Sequence, residues 1–278
     1  MSDRKEIKCR KALYLSVFAI LAVLMLVIEI FQIKFSDDKT VHDIVYAIST
    51  RAIGSVICVM MMIYCSFGNL FSLRGKLNIK KYLLILPFWI VAINNFPFIG
   101  VINEEVTLVR GGVLVFLYAI QCFLTGLFEE TAFRGCVFML VLQGRRKTRA
   151  DVFWSIIISS AIFGVTHIVN LFVGAGIAPV IRQLGYSFLI GAMCSVALIL
   201  TKEIWSCVFL HAVFNFAGGV MPTLGKGSIW NLPTVILTAV IAVVVAVYGV
   251  AVFLKLDLSE LDCFFEKEKL TLDGAEND

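Results

Sequence analysis

Long apolar runs separated by short polar segments constrain the fold of this sequence more than any other feature. A bilayer core about 30 Å thick needs about 20 apolar residues per helix, and most of the runs approach that length. Of 278 residues, 60% are hydrophobic and 16% are charged, which leaves too little polar surface for a soluble domain. We therefore predict an all-α, polytopic membrane helical bundle of about eight transmembrane helices. The predicted spans are 12–33, 52–71, 82–101, 113–143, 153–173, 184–200, 204–222 and 233–254.

The fourth predicted span, 113–143, is too long for one simple crossing of a bilayer. Three arrangements would accommodate its length: a strong tilt, a kink near Gly126 or Gly135, or an extension beyond the membrane surface. The sequence alone leaves these three open.

Clusters of lysine and arginine orient the spans, because cytoplasmic loops are enriched in these residues. The N-terminal tail carries five, the loop 72–81 carries four, and the loop at 145–149 carries four. The loop after the first span fits least well, since Lys34, Lys39 and Arg51 are spread along it. The alternation predicts an integral membrane protein with both termini cytoplasmic. Nucleic acid is not an expected partner, because no basic face of a soluble domain is visible.

The decapeptide GLFEETAFRG places three charges inside the fourth apolar run. Ionisable residues at membrane depth are expensive and indicate a functional site. Glu130 and Arg134 are four residues apart, so on a helix they share a face and can pair. Glu129 points about 100° away around the helix. We therefore expect Glu129 to face a cavity and to act as a base.

Two further apolar segments each carry a histidine and an asparagine at helical spacing. In FGVTHIVN, Phe163 and His167 are one turn apart and Asn170 follows; in HAVFN, His211 and Asn215 are four residues apart. Imidazole can hold or activate a water, and histidine and asparagine can donate hydrogen bonds to an oxyanion. Together with Glu129, these side chains suggest a water-activating hydrolytic site.

Counting residues along the helices compares the depths of these groups. Glu129 lies about 24 Å from the basic loop at Arg145, and His167 about 21 Å from Phe153, at a rise of about 1.5 Å per residue. His211 comes out only about 10 Å past Ile204. Either that helix starts earlier than expected or the site slopes.

Simpler explanations exist for each residue alone. A single intramembrane histidine is more often a packing residue, Phe163 is most economically a core aromatic, and asparagines often join helices. The sequence contains no HExxH and no GxSxG motif. A divalent metal such as zinc, held by Glu129, His167 and His211, and a site without any metal are both left open.

The three patterns resemble the motifs of the CPBP intramembrane proteases, also called the CAAX-protease and bacteriocin-processing (Abi) family. EETAFR (129–134) matches the EExxxR motif, Phe163–His167 matches FxxxH, and His211–Asn215 matches HxxxN, in the same order. The resemblance implies a helical membrane endopeptidase. In it Glu129 and His167 would activate water, His211 and Asn215 would stabilise the oxyanion, and Glu130 with Arg134 would support the site. The family is often labelled a metalloprotease, although a metal-free mechanism has also been proposed for it.

The resemblance also suggests how the chain is divided. Residues 1–112 would hold N-terminal transmembrane helices without a recognised motif, 113–220 the catalytic core, and 221–278 the last transmembrane helix and an acidic cytoplasmic tail. The expected partners are a peptide or protein substrate and membrane lipid, in a bacterial plasma membrane. The expected role is bacteriocin processing, self-immunity or CAAX-type cleavage. A proton-coupled transporter and a non-catalytic immunity protein are the alternatives.

Overall fold

The structure is a computed structural model that describes residues 33–72, 78–172, 174–227 and 231–265, together with Ser16 and Val23. The predicted first span, 12–33, and the tail beyond 265 therefore lie almost entirely outside the described residues. In the part described, helices dominate, and the prediction of an all-α bundle is confirmed. One two-stranded pair of three residues each is the exception.

The elements are as follows, in chain order. The α-helices are α1 (Lys39–Tyr64), α2 (Ile79–Leu84), α3 (Leu86–Asn94), α4 (Phe98–Ile102), α5 (Val113–Glu130), α6 (Met139–Gly144), α7 (Arg149–Thr166), α8 (Ile177–Thr201), α9 (Trp205–Leu224) and α10 (Leu232–Leu254). The strands are β1 (Val106–Leu108) and β2 (Gly225–Gly227). A π-helix covers Thr131–Phe138, and 3-10 helices cover Gly68–Phe71, His167–Leu171 and Leu258–Phe264.

Six helical segments among the described residues are long and apolar enough to cross a membrane. They are Lys39–Tyr64, Val113–Gly144, Arg149–Leu171, Ile177–Thr201, Trp205–Leu224 and Leu232–Leu254. The last five overlap the predicted fourth to eighth spans closely. The apolar surface that these helices present outward, such as Val243 and Val247 on α10, agrees with lipid contact.

The predicted second span is displaced. The helix α1 runs from Lys39 to Tyr64, capped at its start by the Asp38 side chain, whereas the sequence suggested 52–71. The charge of Arg51 lowers the mean hydropathy in the middle of this helix, so the hydropathy pattern places the start of the second span after it. Because Arg51 lies within the helix, it does not count towards the loop, and only Lys34 and Lys39, the first helix residue, weaken the charge alternation there.

The predicted third span, 82–101, is not one helix. It is divided among α2, α3 and α4, none of which is long enough to cross a bilayer core alone. Pro87 lies in the first turn of α3, and Pro97 precedes α4. Proline lacks the backbone N–H that a continuous helix would use, so both positions interrupt the hydrogen bonding.

The long fourth span is helical from Val113 to Gly144, and a π-helix occupies its middle. The widened turn includes Gly135, one of the two glycines where a kink was considered. A Cβ at Gly135 would lie 2.1 Å from Met62 Sδ, so glycine is needed there for α1 to approach. π-helical turns are uncommon and are frequent at functional sites.

The two ends of the bundle differ in charge. The basic end carries the turn 145–149, Lys81 and Lys202, and the 3-10 helix Leu258–Phe264 lies across it through Glu260. Lys81 and Lys202 hold the pKa of the Glu260 carboxyl below its usual range. At the opposite end β1 pairs antiparallel with β2, and Arg110 donates to Asp38 at 2.9 Å.

Candidate active site

The predicted site residues come from four helical segments that meet inside the bundle. Glu129 and Glu130 end α5, and Arg134 belongs to the π-helix that follows. His167 begins the 3-10 helix after α7, while His211 and Asn215 lie on α9. The helix α8 packs on both α7 and α9 and closes the remaining side.

Glu130 is the centre of a buried polar cluster. Its Oε1 accepts from Arg134 Nη1 at 3.0 Å and lies 2.6 Å from His211 Nδ1. Glu130 and Arg134 are both 0% exposed, and His211 is 4% exposed. A buried charge must be paired to be tolerated, and the pair predicted from the four-residue spacing is present. The contact between Glu130 and His211, 81 residues apart, adds a second partner.

Glu129 differs from Glu130 in its surroundings. Its Oε2 lies 3.4 Å from His211 Nε2, on the other nitrogen of the ring that Glu130 contacts. Its side chain is 17% exposed and lines a cavity of about 260 Å³, which Glu130 does not reach. The two adjacent glutamates therefore contact the two different nitrogens of the His211 ring, and of the two only Glu129 lines the cavity.

His167 is fixed by the helix that carries it. Its Nδ1 lies 3.0 Å from the carbonyl oxygen of Phe163, one turn earlier. A carbonyl only accepts, so Nδ1 carries the proton and Nε2 is left as an acceptor in the neutral ring. The side chain lines the same cavity as Glu129 and His211.

Phe163 does more than fill the core. Its ring is 1% exposed and lies 4.4 Å beneath the Arg134 guanidinium carbon. The same ring is edge-on to His167 at 5.1 Å and to His211 at 5.7 Å between centroids. The ring face offers negative charge density to a guanidinium whose Nε and Nη2 lack hydrogen-bond partners among the described residues.

The two asparagines occupy different places. Both line the cavity, Asn215 beside His211 and Asn170 where it also donates to Gln183 Oε1 at 2.8 Å and joins the 3-10 helix to α8. The helix-joining explanation therefore describes Asn170 well. The structure gathers Glu129, His167, His211 and Asn215 around one cavity, and places Glu130 and Arg134 behind it.

The short count of about 10 Å from Ile204 to His211 does not separate this residue from the glutamates, because it lies 3.4 Å from Glu129 and 2.6 Å from Glu130. Ile204, just before α9, is 0% exposed, and its N–H donates to Leu70 O at 2.9 Å. The helix α9 thus begins inside the bundle. This recessed start brings His211 to the level of the glutamates.

Arg51 is a cavity residue that the sequence interpretation missed. It lies on α1, and its guanidinium carbon is 5.8 Å from the centroid of the Phe128 ring. The hydropathy pattern places it in a loop, because that pattern starts the second span at residue 52. No sequence pattern marks it as a cavity residue, since its neighbour in the cavity lining on α1 is Ala47, an ordinary apolar residue one turn earlier.

Glu129, His167 and His211, the three residues that could hold a metal, do not bring their ligand atoms together in this structure. Glu129 and His211 are close, but His167 does not bring a nitrogen within 4.8 Å of both. The one such group among the described residues is Glu130, Cys194 and Cys207. Cys207 Sγ donates to Cys194 O at 3.1 Å, as a protonated thiol does, and Glu130 Oε1 is already engaged. We therefore assign no step of chemistry to a metal.

Close packing of α5 on α9 sets the distance between the glutamates and His211. A Cβ at Gly126 would lie 2.7 Å from Val208 O and 3.2 Å from Ala212 N, both backbone atoms. We expect Gly126→Ala to lower the free energy of unfolding by about 1–3 kcal/mol, as overpacking does. Thermal unfolding in detergent measures the change.

The control is Gly185→Ala on α8, where the added Cβ meets nothing within 4 Å. Alanine is favoured over glycine by about 0.5–1 kcal/mol in a helix interior. Gly185→Ala should therefore unfold at the wild-type temperature or above it. Equal unfolding temperatures for the two variants would show that the contact between α5 and α9 is loose.

Apolar helices long enough to span a bilayer, closed around a polar centre, define an integral membrane protein. Residues 111–217 match the family model described as Type II CAAX prenyl endopeptidase Rce1-like. This match confirms the resemblance carried by the three motifs, and the family that it describes is one of CAAX-type proteases, which are peptide hydrolases. It covers less than half of the chain and leaves α1 and Arg51 outside. No curated protein and no solved structure matches the chain.

Proposed function

We propose that the protein is an intramembrane endopeptidase that hydrolyses a peptide bond with a water activated by Glu129 and His167. The observation that carries this proposal is the single cavity lined by Glu129, His167, His211 and Asn215. A base, a second water acceptor and two donors for an oxyanion are the groups that acyl transfer to water requires.

The contacts of the two glutamates supply the charged forms that this mechanism uses. Arg134 pairs with Glu130, and Arg51 is a second cation that lines the cavity with Glu129. His211 Nδ1 lies 2.6 Å from Glu130 Oε1, so a proton on Nε2 as well makes the ring an imidazolium 3.4 Å from Glu129 Oε2. The form with the proton on His211 presents Glu129 as a carboxylate, which is the form able to act as a base.

The reaction follows from these protonation states. Glu129 takes a proton from the water while His167 Nε2 accepts the other hydrogen bond, and the water oxygen bonds to the substrate carbonyl carbon. The carbonyl oxygen gains negative charge and accepts from His211 Nε2 and the Asn215 amide. The C–N bond then breaks as Glu129 returns its proton to the leaving nitrogen, which restores the carboxylate.

Glu130 and Arg134 support the donor role of His211. Glu130 Oε1 accepts from His211 Nδ1, which fixes the ring orientation and stabilises the imidazolium. Arg134 holds Glu130 ionised and is itself held over Phe163. Neither Glu130 nor Arg134 lines the cavity, so both are positioning residues.

The lining of the cavity supports a peptide substrate. Besides the four reacting groups it includes the amides Gln121 and Gln183 and the hydroxyls of Thr125 and Ser187, which can pair with peptide N–H and C=O groups. Bacteriocin processing, self-immunity and CAAX-type cleavage are the roles we propose for such an activity.

The proposal is tested by peptide cleavage in proteoliposomes containing water labelled with heavy oxygen. A degenerate peptide library should yield products whose new carboxylate carries the label, because water supplies that oxygen. His167→Ala should lower kcat by about 100-fold, because the attacking water loses one of the two groups that position it. His42→Ala makes the same change in a histidine that does not line the cavity, and should cleave at the wild-type rate. Unlabelled products, or equal rates for the two variants, would contradict the mechanism.

A further inference from the structure

The cavity is reached from one end of the bundle, and that end identifies the location of the substrate. We infer that the cavity opens towards the end opposite the basic loops, so that the cleaved segment is a polypeptide segment on the non-cytoplasmic side of the membrane. That the segment is cleaved rests on the proposed function, whereas the direction in which the cavity opens rests on the fold alone.

The shallowest cavity residues lie near helix ends that belong to the opposite end of the bundle. Gln183 is six residues from the start of α8, about 9 Å at the rise of an α-helix. Ala47 is eight residues from the start of α1, about 12 Å. Asn170 lies in the 3-10 helix that ends the α7 segment. The positions of these residues on three separate segments therefore all indicate that the cavity opens towards the end of the bundle opposite the basic loops.

The side of the cavity nearer the basic end is sealed. Glu130, Arg134, Cys194 and Cys207 lie directly behind the reacting groups, and each is 0% exposed. The next layer towards the basic loops is also 0% exposed and belongs to the main core: Phe138, Met139, Leu142, Val152, Leu198 and Ile204. A polypeptide segment cannot reach Glu129 through this layer without separating the packed helices.

Exposure rises in the other direction. The polar cavity residues Asn170 and Gln183 are partly exposed there, and Leu171 and Phe172, at the end of the α7 segment, are 38% and 79% exposed. His167 itself is partly exposed, whereas His211 is buried. Among the described residues, the exposed fraction of the cavity side chains therefore increases from the buried layer at Glu130 and Arg134 towards the end of the α7 segment, which we call the rim of the cavity.

Charge identifies which side of the membrane the rim faces. The turn 145–149 carries four lysines and arginines, and Lys81, Lys202 and Lys255 lie at the same end. At the opposite end each of Lys34, Lys39 and Arg110 is paired with an aspartate, and Glu104 and Glu105 follow α4. Lysine and arginine are enriched on the cytoplasmic side, so the rim faces away from the cytoplasm. The substrate class that fits is an exported or membrane-anchored polypeptide with its cleavable segment outside.

Labelling of introduced cysteines with a membrane-impermeant maleimide tests the direction without any need for activity. Ala47→Cys places a thiol in the cavity by a small change at a residue outside the reacting set. Lys226→Cys on β2 and Lys147→Cys in the basic turn mark the two ends, since both side chains are exposed. Wild type provides the background from the native cysteines.

In intact bacterial cells, the fraction labelled at Ala47→Cys should match that at Lys226→Cys, while Lys147→Cys stays at the wild-type level. In inverted membrane vesicles the pattern should reverse. Labelling of Ala47→Cys together with Lys147→Cys would overturn the direction of opening. Labelling of Ala47→Cys and Lys226→Cys only in inverted vesicles would overturn the assignment of an external substrate.

A pair of reporter proteins separates this inference from the proposed function. Each carries the same cleavable segment, placed outside the cell in one reporter and inside in the other. Cleavage of the external reporter alone is expected, and cleavage of the internal reporter alone would overturn the substrate class. If neither reporter is cut while Ala47→Cys is labelled from outside, the proposed hydrolysis fails and the direction of opening stands.

Discussion

Glu129→Gln is expected to abolish peptide cleavage while leaving the protein folded. Glutamine has the shape of glutamate and keeps a group near His211 Nε2, but it cannot take the proton of the attacking water. General-base catalysis contributes about 10²–10⁴-fold to a rate, so kcat should fall by that factor with KM little changed. Initial rates over a range of peptide concentrations in proteoliposomes separate the two constants.

The control is Glu104→Gln, the same chemical change at an exposed carboxylate in the turn after α4. It should retain the wild-type kcat. Thermal unfolding of Glu129→Gln should also match wild type, because its side chain is partly solvated and is not the partner of Arg134. A Glu129→Gln protein that keeps the wild-type kcat would remove Glu129 from the mechanism.

Arg134→Met is expected to destabilise the protein by about 3–5 kcal/mol, the usual cost of leaving a buried charge without its partner. It removes the guanidinium that Glu130 Oε1 contacts at 3.0 Å, in a site where both side chains are at most 1% exposed. Unfolding by heat or denaturant in detergent measures the loss. The double variant Glu130→Gln/Arg134→Met removes both charges and should recover part of it.

Two comparisons make this result specific. Lys39→Met removes one partner of Lys39–Asp43, an ion pair of the same four-residue spacing whose side chains are 87% and 50% exposed. Exposed pairs contribute about 0–1 kcal/mol, so this variant should unfold like wild type.

The double variant Glu130→Gln/Arg134→Met should also remain inactive, because His211 Nδ1 has lost its carboxylate. Equal stability losses for Arg134→Met and Lys39→Met would mean that Glu130 is not ionised in the fold.

The parts of the site that could be predicted from the sequence are those set by one helix. The pairing of Glu130 with Arg134 needs only the four-residue spacing, and the difference between the two glutamates needs only the rotation per residue. The contact of Glu130 with His211 depends on how α5 packs on α9, which no local pattern specifies. The close approach at Gly126 is visible only once both helices are in place.

The errors in the predicted spans have physical causes that lie in single residues. Arg51 displaced the second span because a hydropathy pattern penalises a charge wherever it occurs, and a cavity inside the bundle can accommodate one. Pro87 and Pro97 divided the third span, although its composition is as apolar as that of its neighbours. The depth of His211 was underestimated because α9 begins at a buried residue.

The π-helix Thr131–Phe138 gives the long helix two independent faces. A π-turn closes on i→i+5 bonds and so contains a residue more than an α-helical turn. On one side of it Glu129 and Glu130 meet His211, and on the other side Met139 and Leu142 are 0% exposed in the core. Loss of one residue within 131–138 would return the segment to α-helical turns and keep both faces in place, whereas loss of one residue from an α-helical stretch turns the parts on either side of it by about 100°. Relatives of this chain are therefore expected to lose a single residue within 131–138 more readily than within α5.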